Sequence, residues 1–130
     1  MALVVVAAGV VRDERGRILL TRRMQGTHLE GYWEFPGGKL EDGESPEACV
    51  VRECKEECAI DVEVGDVLDV AWHRYESKDV LLLFYDCALR SGDVQDVGVA
   101  EHVWITPSQL DAFQLPPPDA RLVSKLKKGA

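Results

Sequence analysis

The sequence has no apolar run long enough to cross a lipid bilayer. Its longest such run is ALVVVAAGVV at residues 2–11, whereas a spanning helix needs about 20 apolar residues. No basic segment precedes this run and no convincing cleavage site follows it, so it does not read as a secretion signal. We therefore predict a buried strand here, no membrane partner and a cytoplasmic location.

Positive charge is also scarce. Lys and Arg together number 15 against 23 Asp and Glu, which gives a formal net charge of -8. The resulting electrostatic field repels polyphosphates, so the composition argues against binding to nucleic acid polymers or anionic membranes. A small anion can still bind such a protein where a metal ion mediates the contact.

Cysteine is limited to four residues, and no two of them form a C-x-x-C pair. Cys54 and Cys58 share a helix face at i, i+4, which makes zinc binding conceivable, but a third and a fourth ligand are not evident nearby. Cys49, Cys54, Cys58 and Cys87 are therefore interpreted as reduced thiols that act as small core residues.

Composition and pattern together indicate an ordinary globular protein, with 46% hydrophobic and 29% charged residues in 130. We expect a single domain over residues 1–130. Strands are predicted at 2–11, 17–22, 62–75, 80–89 and 101–105, and helices at 46–58, 107–112 and 120–127. Strands pair on both sides of the first helix in the sequence, which predicts an α/β fold with helices packed on a mixed sheet.

The helix ends carry their own signals. Ser45 is a good N-cap residue and Pro46 suits the first helical position. At the other end of the chain, Asp119 follows a proline-rich segment and is placed to cap the last helix. The proline-rich residues 115–118 are expected to be non-helical.

The first helix concentrates negative charge. At about 100° per residue, Glu53, Glu56 and Glu57 fall within one arc of the helical wheel. These carboxylates repel one another, and the helix alone leaves two interpretations open. Either they form a solvated stripe relieved by Arg52 and Lys55, or they form a site for Mg²⁺ or Mn²⁺, which prefer carboxylate oxygens.

An apolar arc lies next to the acidic one. We expect it to face the sheet, so that Glu53 and Glu57 lie near the edge of the buried face. Its members are Val50, Val51, Cys54 and Cys58.

The loop before the helix favours the metal site. Gly37 and Gly38 allow backbone to approach a ligand closely, and Gly43 allows a turn that brings Glu44 beside the helix. The full spacing is Gly38, five residues, Glu44, seven residues, Arg52-Glu53, and then Glu56-Glu57.

This spacing resembles the signature of the Nudix hydrolases, GX5EX7REUXEEXGU, where U is a bulky apolar residue. Every charged position is present, while Cys54 replaces a bulky apolar residue and Ala59 replaces the final glycine. The segments TRR, WEFPGGK and VWITPSQL are similar to the MutT-like branch of the family, so the resemblance covers nearly the whole chain. It implies an α/β/α Nudix sandwich with a mixed sheet between helices.

The resemblance also implies an activity, the Mg²⁺-dependent hydrolysis of a nucleoside triphosphate to the monophosphate and pyrophosphate. Mn²⁺ is a possible replacement for Mg²⁺. The implied metal ligands are Glu53, Glu56, Glu57 and the Gly37 carbonyl. Glu44 would assist directly or through water, and Arg52 would orient a glutamate.

The general base is not fixed by the resemblance. Glu53 is one candidate, and some relatives use a carboxylate from a later loop, where this chain has Asp96 and Glu101.

Substrate contacts are carried over in the same way. The resemblance assigns Arg23 to phosphate and His28 to the nucleotide pocket. The backbone of the segment Glu34, Phe35, Pro36, Gly37 and Gly38 would line that pocket, with Phe35 offering an apolar surface to the base.

Asp119 departs from the branch, which has an asparagine at the matching place. An ionised aspartate only accepts hydrogen bonds, so it favours an exocyclic amine or the N1–H/N2 edge of guanine. Substrate choice between 8-oxo-dGTP and a cytosine nucleotide such as CTP, dCTP or 5-methyl-dCTP stays open at this stage. A non-catalytic nucleotide-binding module is a further alternative, and the chain could be a monomer or a homodimer.

Overall fold

The computed structural model describes residues 2–129. Within this range the strands of one sheet are β1 (Ala2–Arg12), β2 (Ile18–Arg22), β3 (Trp33–Glu34), β4 (Gly37–Lys39), β5 (Asp61–Arg74), β6 (Lys78–Ser91) and β7 (Glu101–Ile105). The α-helices are α1 (Pro46–Cys58) and α2 (Ala120–Lys127). None of the helices described in residues 2–129 is long and apolar enough to cross a membrane.

β1 is the strand around which the sheet is organised. It pairs in parallel with β6 along its whole length, from Ala2 opposite Lys78 to Arg12 opposite Ala88. On its other side it pairs antiparallel with β4 and, at its end, with β2. The sheet is therefore mixed, which confirms the predicted α/β class.

Alternation along β1 divides the core between the two faces of the sheet. Ala7 and Val11 pack in a cluster with the buried side of α1. Ala8 and Val10 pack in a second cluster with Leu122 and other residues from the side of α2. Since successive strand residues point to opposite faces, one continuous apolar run supplies both cores.

α1 begins as predicted. The Ser45 side chain accepts a hydrogen bond from the Ala48 amide at 3.1 Å, and Pro46 occupies the first turn. The helix ends at Ala59, which has a left-handed conformation with φ 58°. That conformation suits glycine, and an alanine there carries a steric cost.

The prediction for the buried face of α1 was partly wrong. Val51 is 41% exposed, whereas Cys49 is fully buried together with Val50, Cys54 and Cys58. The buried face is therefore rotated toward Cys49, which places Glu57 near its centre and not at its edge. The helix packs closely on β1 at this point, because a Cβ at Gly9 would lie only 3.0 Å from Val50 Cγ1.

Residues 107–112 form the predicted helix, Pro107–Ala112, which is a 3₁₀ helix. The segment that follows departs from prediction in two ways. The proline-rich segment contributes to a second 3₁₀ turn, Pro117–Asp119, because proline is tolerated in a first turn where its missing N–H is not needed. Asp119 precedes α2, but its side chain makes no capping hydrogen bond.

The cysteine prediction is confirmed, since all four thiols are free and buried. Burial raises the pKa of Cys87 to about 12, so this thiol stays protonated and inert.

Candidate active site

A cleft of about 370 Å³ joins several elements of the fold. Such a volume lies in the range of small-molecule sites. Its walls come from β1, β4, β6, α1 and the segment before α2. Nine of the predicted site residues line it: Arg23, His28, Glu34, Phe35, Gly37, Gly38, Glu53, Glu57 and Asp119.

The glycine pair is required by close approach. A Cβ at Gly37 would collide with the Ala7 carbonyl on β1, and a Cβ at Gly38 would collide with the Glu53 carboxylate. Only glycine therefore lets α1 lie close enough to β4 for Glu53 to reach the cleft. This explains why the glycines precede the acidic helix at a fixed spacing.

Arg52 connects the loop to the acidic helix. Its guanidinium donates to both carboxylate oxygens of Glu44, at 2.7 and 2.9 Å, and to the Lys39 carbonyl at 3.1 Å. It also contacts Glu53 at 2.6 Å and Glu56 at 3.2 Å. Hydrogen bonds from Arg52 lower the pKa of Glu44 to about 2. Arg52 and Glu44 thus form a fixed bidentate pair that holds one oxygen of Glu53 in place.

Glu57 has an electrostatic environment that disfavours its charge. Its Oε1 atom is buried and has no hydrogen-bond partner among the described residues. Burial raises the pKa of Glu57 far above its ordinary value, and the neighbouring Glu53 raises it further. A hydrogen bond from the Gly37 amide acts in the opposite direction. A buried carboxylate of this kind is stabilised when a cation binds beside it.

The donor set fits a hard divalent cation. Across residues 2–129, no three His, Cys, Asp or Glu side chains are already arranged to hold a metal ion, and Arg52 contacts both Glu53 and Glu56. However, carboxylate oxygens are the ligands that Mg²⁺ and Mn²⁺ prefer, and the orphaned Glu57 Oε1 needs a partner. Glu53, Glu56, Glu57 and the Gly37 carbonyl are the groups that could hold the ion.

A second group of charged residues lines the same cleft. Arg23 donates to Glu34 at 2.8 Å and also contacts the His28 carbonyl. Burial raises the pKa of Glu34, and Arg23 partly offsets that rise. The His28 ring lies edge-on to Tyr75 with centroids 5.3 Å apart. The sequence-predicted pair Arg23 and His28 is thus brought together with Glu34.

Asp119 is one of three polar or charged residues buried in the described chain, with 4% of its surface exposed. Burial raises the pKa of Asp119 to about 7, and the charge of Glu34 contributes to the rise. Its side chain lines the cleft and does not cap α2. A carboxyl group held in this way can accept hydrogen bonds when ionised and can also donate one when protonated.

The remaining predicted residues lie outside this cleft. The Pro36 carbonyl pairs with the Gly9 amide at 2.8 Å. Glu101 is on β7, 3.9 Å from the Arg22 guanidinium. Asp96 contacts His102 at 2.6 Å, in a loop whose Val97 and Gly98 amides donate to the Glu57 carbonyl. The loop is therefore attached to the end of α1, while Glu101 points to a separate surface ion pair.

Sequence reasoning missed the apolar floor of the cleft. The floor consists of alternating residues on two parallel strands, which lie side by side only after folding. Its members are Val4, Val6 and Ala8 on β1, and Val80, Leu82 and Phe84 on β6; Tyr75 in the β5–β6 turn and Lys78 at the start of β6 line the cleft beside it. The alternation of residues along each strand was visible in the sequence, but which face of the sheet each set of side chains would occupy was not.

Comparisons with known proteins agree with this architecture. The model of the NUDIX domain family matches residues 2–126. An 8-oxo-dGTP diphosphatase of Haemophilus influenzae is 35% identical over 124 residues, which cover 95% of this chain and 91% of that protein. A CTP pyrophosphohydrolase of Escherichia coli is 35% identical over 121 residues, covering 92% and 87%.

Solved structures show the same fold. The MutT protein of Methanosarcina mazei Go1 superposes with a TM-score of 0.87 at 25% identity, covering 97% of this chain and 94% of that one. The domain match, the relatives and the cleft beside the Gly–Glu–Arg–Glu helix all lead to one conclusion. The chain belongs to the Nudix hydrolases, in the MutT-like group of nucleoside triphosphate diphosphatases.

Proposed function

We propose that this protein is a Mg²⁺-dependent pyrophosphohydrolase that removes an oxidised guanine nucleotide, such as 8-oxo-dGTP, from the nucleotide pool. The products are the nucleoside monophosphate and pyrophosphate. One observation carries the proposal: a single cleft of nucleotide size is lined by Glu53 and Glu57 and also by the buried Asp119. The relatives named 8-oxo-dGTP diphosphatase support this substrate class.

Each end of the cleft has its own task. Mg²⁺ bound at Glu53, Glu56, Glu57 and the Gly37 carbonyl would shield phosphate charge and lower the pKa of a bound water. Arg52 keeps Glu53 in place through the Glu44 pair. Glu53 Oε2 lies against Gly38, and in this proposal it would accept the proton of the attacking water.

Arg23 is suited to the phosphates. An arginine carries five N–H donors, and the contacts of Arg23 to His28 and Glu34 use Nε and Nη1. Nη2 can therefore serve a phosphate oxygen without breaking either contact. The apolar floor would accept the base and exclude water beneath it.

Asp119 provides the contact that distinguishes bases. In its ionised form it accepts from N1–H and N2–H of a guanine-type base. In its protonated form it donates once and accepts once, which matches N3 and the N4 amine of cytosine. Since burial brings the pKa of Asp119 to about 7, both forms exist near neutral pH. A cytosine nucleotide is therefore the second candidate substrate, and the CTP pyrophosphohydrolase relative supports it.

The first test is pyrophosphate release from a nucleotide panel with Mg²⁺ or Mn²⁺. The panel contains 8-oxo-dGTP, dGTP, CTP, dCTP, 5-methyl-dCTP and 2-hydroxy-dATP. We expect turnover of at least one nucleotide, and a loss of at least about 100-fold in kcat for Glu57→Gln. Glu47→Gln, which changes an exposed glutamate on the same helix, should keep the wild-type rate. Binding without turnover by the wild-type protein would contradict the catalytic proposal and indicate a recognition module.

The second arm of the test is pH. The preference for guanine-type over cytosine-type nucleotides should rise between pH 6 and pH 8.5, because Asp119 loses its proton in this window. Asp119→Asn should abolish that rise. A preference that does not change with pH in the wild-type protein would exclude Asp119 as the group that reads the base.

A further inference from the structure

A buried aspartate on β5 forms ion pairs with two partly exposed cations of α2, away from the residues that would touch a nucleotide. The Asp69 side chain is only 4% exposed. Arg121 Nε lies 3.0 and 3.1 Å from its two carboxylate oxygens, and Lys125 Nζ lies 3.0 Å from Oδ1. Both cations come from α2, at positions four residues apart on one face. We refer to Asp69, Arg121 and Lys125 as the α2 clamp.

The same two cations also bond to strand backbone. Lys125 Nζ donates to the Leu68 carbonyl at 3.1 Å, and the Arg121 guanidinium donates to the Val70 carbonyl. α2 is thereby fixed to three successive residues of β5. Such directional bonds set the position of a helix along its axis, which apolar contacts do less well.

An irregularity in β5 makes this arrangement possible. The pairing of β5 with β6 shifts register between Val64 and Val67, and again between Val67 and Asp69. A bulge re-aims the side chains that follow it, so a strand residue can point at a neighbouring element. Although burial alone raises the pKa of Asp69, hydrogen bonds from Arg121 and Lys125 bring it below the ordinary value. Asp69 is therefore ionised at neutral pH.

Asp119 lies between the 3₁₀ turn, where its amide donates to the Pro116 carbonyl at 3.0 Å, and α2. It directly precedes the helix, lies two residues before Arg121, and makes no capping hydrogen bond. Burial of Leu122 and Leu126 attaches α2 to the sheet, but these contacts are not directional. The clamp is the directional contact nearest to Asp119 on this helix.

We propose that Asp69 is a positioning residue that acts through Arg121 and Lys125 to hold Asp119 in the cleft, and so contributes to base preference without touching the nucleotide. The inference rests on the proposed function for its nucleotide readout. The position of the segment that carries Asp119 can be measured independently of activity.

The experiment uses Asp69→Asn, which removes the charge and keeps the side-chain shape. Its control is Glu63→Gln, which breaks a comparable carboxylate–arginine pair on the same strand, 2.8 Å from Arg90 and solvent-exposed. Hydrogen–deuterium exchange is followed at the amides of residues 119–122 and, as an internal reference, at those of residues 47–58. We expect exchange at 119–122 to accelerate at least about fivefold in Asp69→Asn, with the reference segment and the Glu63→Gln protein unchanged.

Kinetics provide the readout that a merely structural contact would leave unchanged. In Asp69→Asn the KM ratio between a preferred and a disfavoured nucleotide should fall at least about fivefold, with kcat largely retained. In a protein that already carries Asp119→Asn, adding Asp69→Asn should have little effect on this KM ratio. The two substitutions would act through the same base contact, so their effects are not additive.

Two outcomes overturn the inference: unchanged exchange at 119–122, or faster exchange with an unchanged KM ratio. If the wild-type protein hydrolyses no nucleotide, the proposed function fails, and so does the part of the inference on base preference. The exchange data then still decide whether the clamp holds the Asp119 segment.

Discussion

Burial gives Asp119 a pKa of about 7, well above the 3.8 of an aspartate in an unfolded chain. The native state therefore holds an additional proton between about pH 4 and pH 7. Because the folded pKa is the higher one, this group's contribution to the free energy of unfolding falls as the pH rises through that window. A functional carboxyl is thus kept in the cleft at a cost to stability.

Asp119→Asn should remove that cost. We expect the variant to gain stability over the wild type as the pH rises from 4.5 to 8.5, by up to about 3 kcal/mol. Urea unfolding at the two pH values measures the difference. Asp66→Asn, at an exposed aspartate of β5, should show no such trend. An Asp119→Asn protein whose advantage is the same at both pH values would show that Asp119 is ionised throughout.

Arg52 illustrates what can and cannot be inferred about a single residue from sequence. The motif predicted that it orients a glutamate, and the structure shows it contacting Glu44, Glu53 and Glu56 together. The bidentate pair with Glu44 depends on the turn at Gly43, so the spacing of the motif along the sequence could not predict it. The prediction for Glu101 remains untested, and its contact is to Arg22.

At the scale of the element, the end of α1 carries a local strain. Ala59 has φ 58° and ψ 36°, where a side chain costs about 1–2 kcal/mol relative to the right-handed region. Its amide nevertheless donates to the Lys55 carbonyl at 3.0 Å, as a helix C-cap requires. The alanine that departs from the family signature is therefore tolerated, and it is not optimal.

Ala59→Gly should stabilise the protein by about 0.5–1 kcal/mol, because glycine adopts this conformation without steric cost. Ala48→Gly is the matched control on the same helix. It lies at an exposed position inside the helix, so it should destabilise by about 1 kcal/mol. Thermal unfolding of both variants gives the sign of each change in stability. Destabilisation by Ala59→Gly would contradict the claim that Ala59 is strained.

The bounds of α1 were predictable because its signals are local. Ser45, Pro46 and the apolar period define the helix without reference to the rest of the chain. β3 and β4 were not predicted, since they are two and three residues long and exist through pairing with β2 and β1. The exposure of Val51 was also unpredictable, because the orientation of a helix depends on the surface beneath it.

At the scale of the whole molecule, a net charge of -8 and a polyphosphate substrate have the same sign. A cation bound at the carboxylates of the cleft would bring the two together. A cation that binds only the folded state shifts the unfolding equilibrium by mass action. Stability should therefore report metal binding even without a substrate.

Adding Mg²⁺ at about 100 times its Kd should stabilise the protein by about 2.7 kcal/mol, or roughly 10 °C in Tm for a chain of this size. Chelator-treated protein gives the baseline. Glu57→Gln should lose most of the rise, while Glu47→Gln should keep it. An equal rise in all three proteins would mean that the cation binds elsewhere.

The sequence alone determined the acidic helix, its spacing from the glycine pair, and the mixed α/β character, because these follow from local signals and from a fixed pattern of charges. Tertiary structure decided which groups share one cleft. Glu57 and Asp119 are 62 residues apart in number, counted as 119 minus 57, and both line a cleft whose floor is formed by the parallel strands β1 and β6. Burial then sets their pKa values, and burial depends on packing between segments that are distant in the chain.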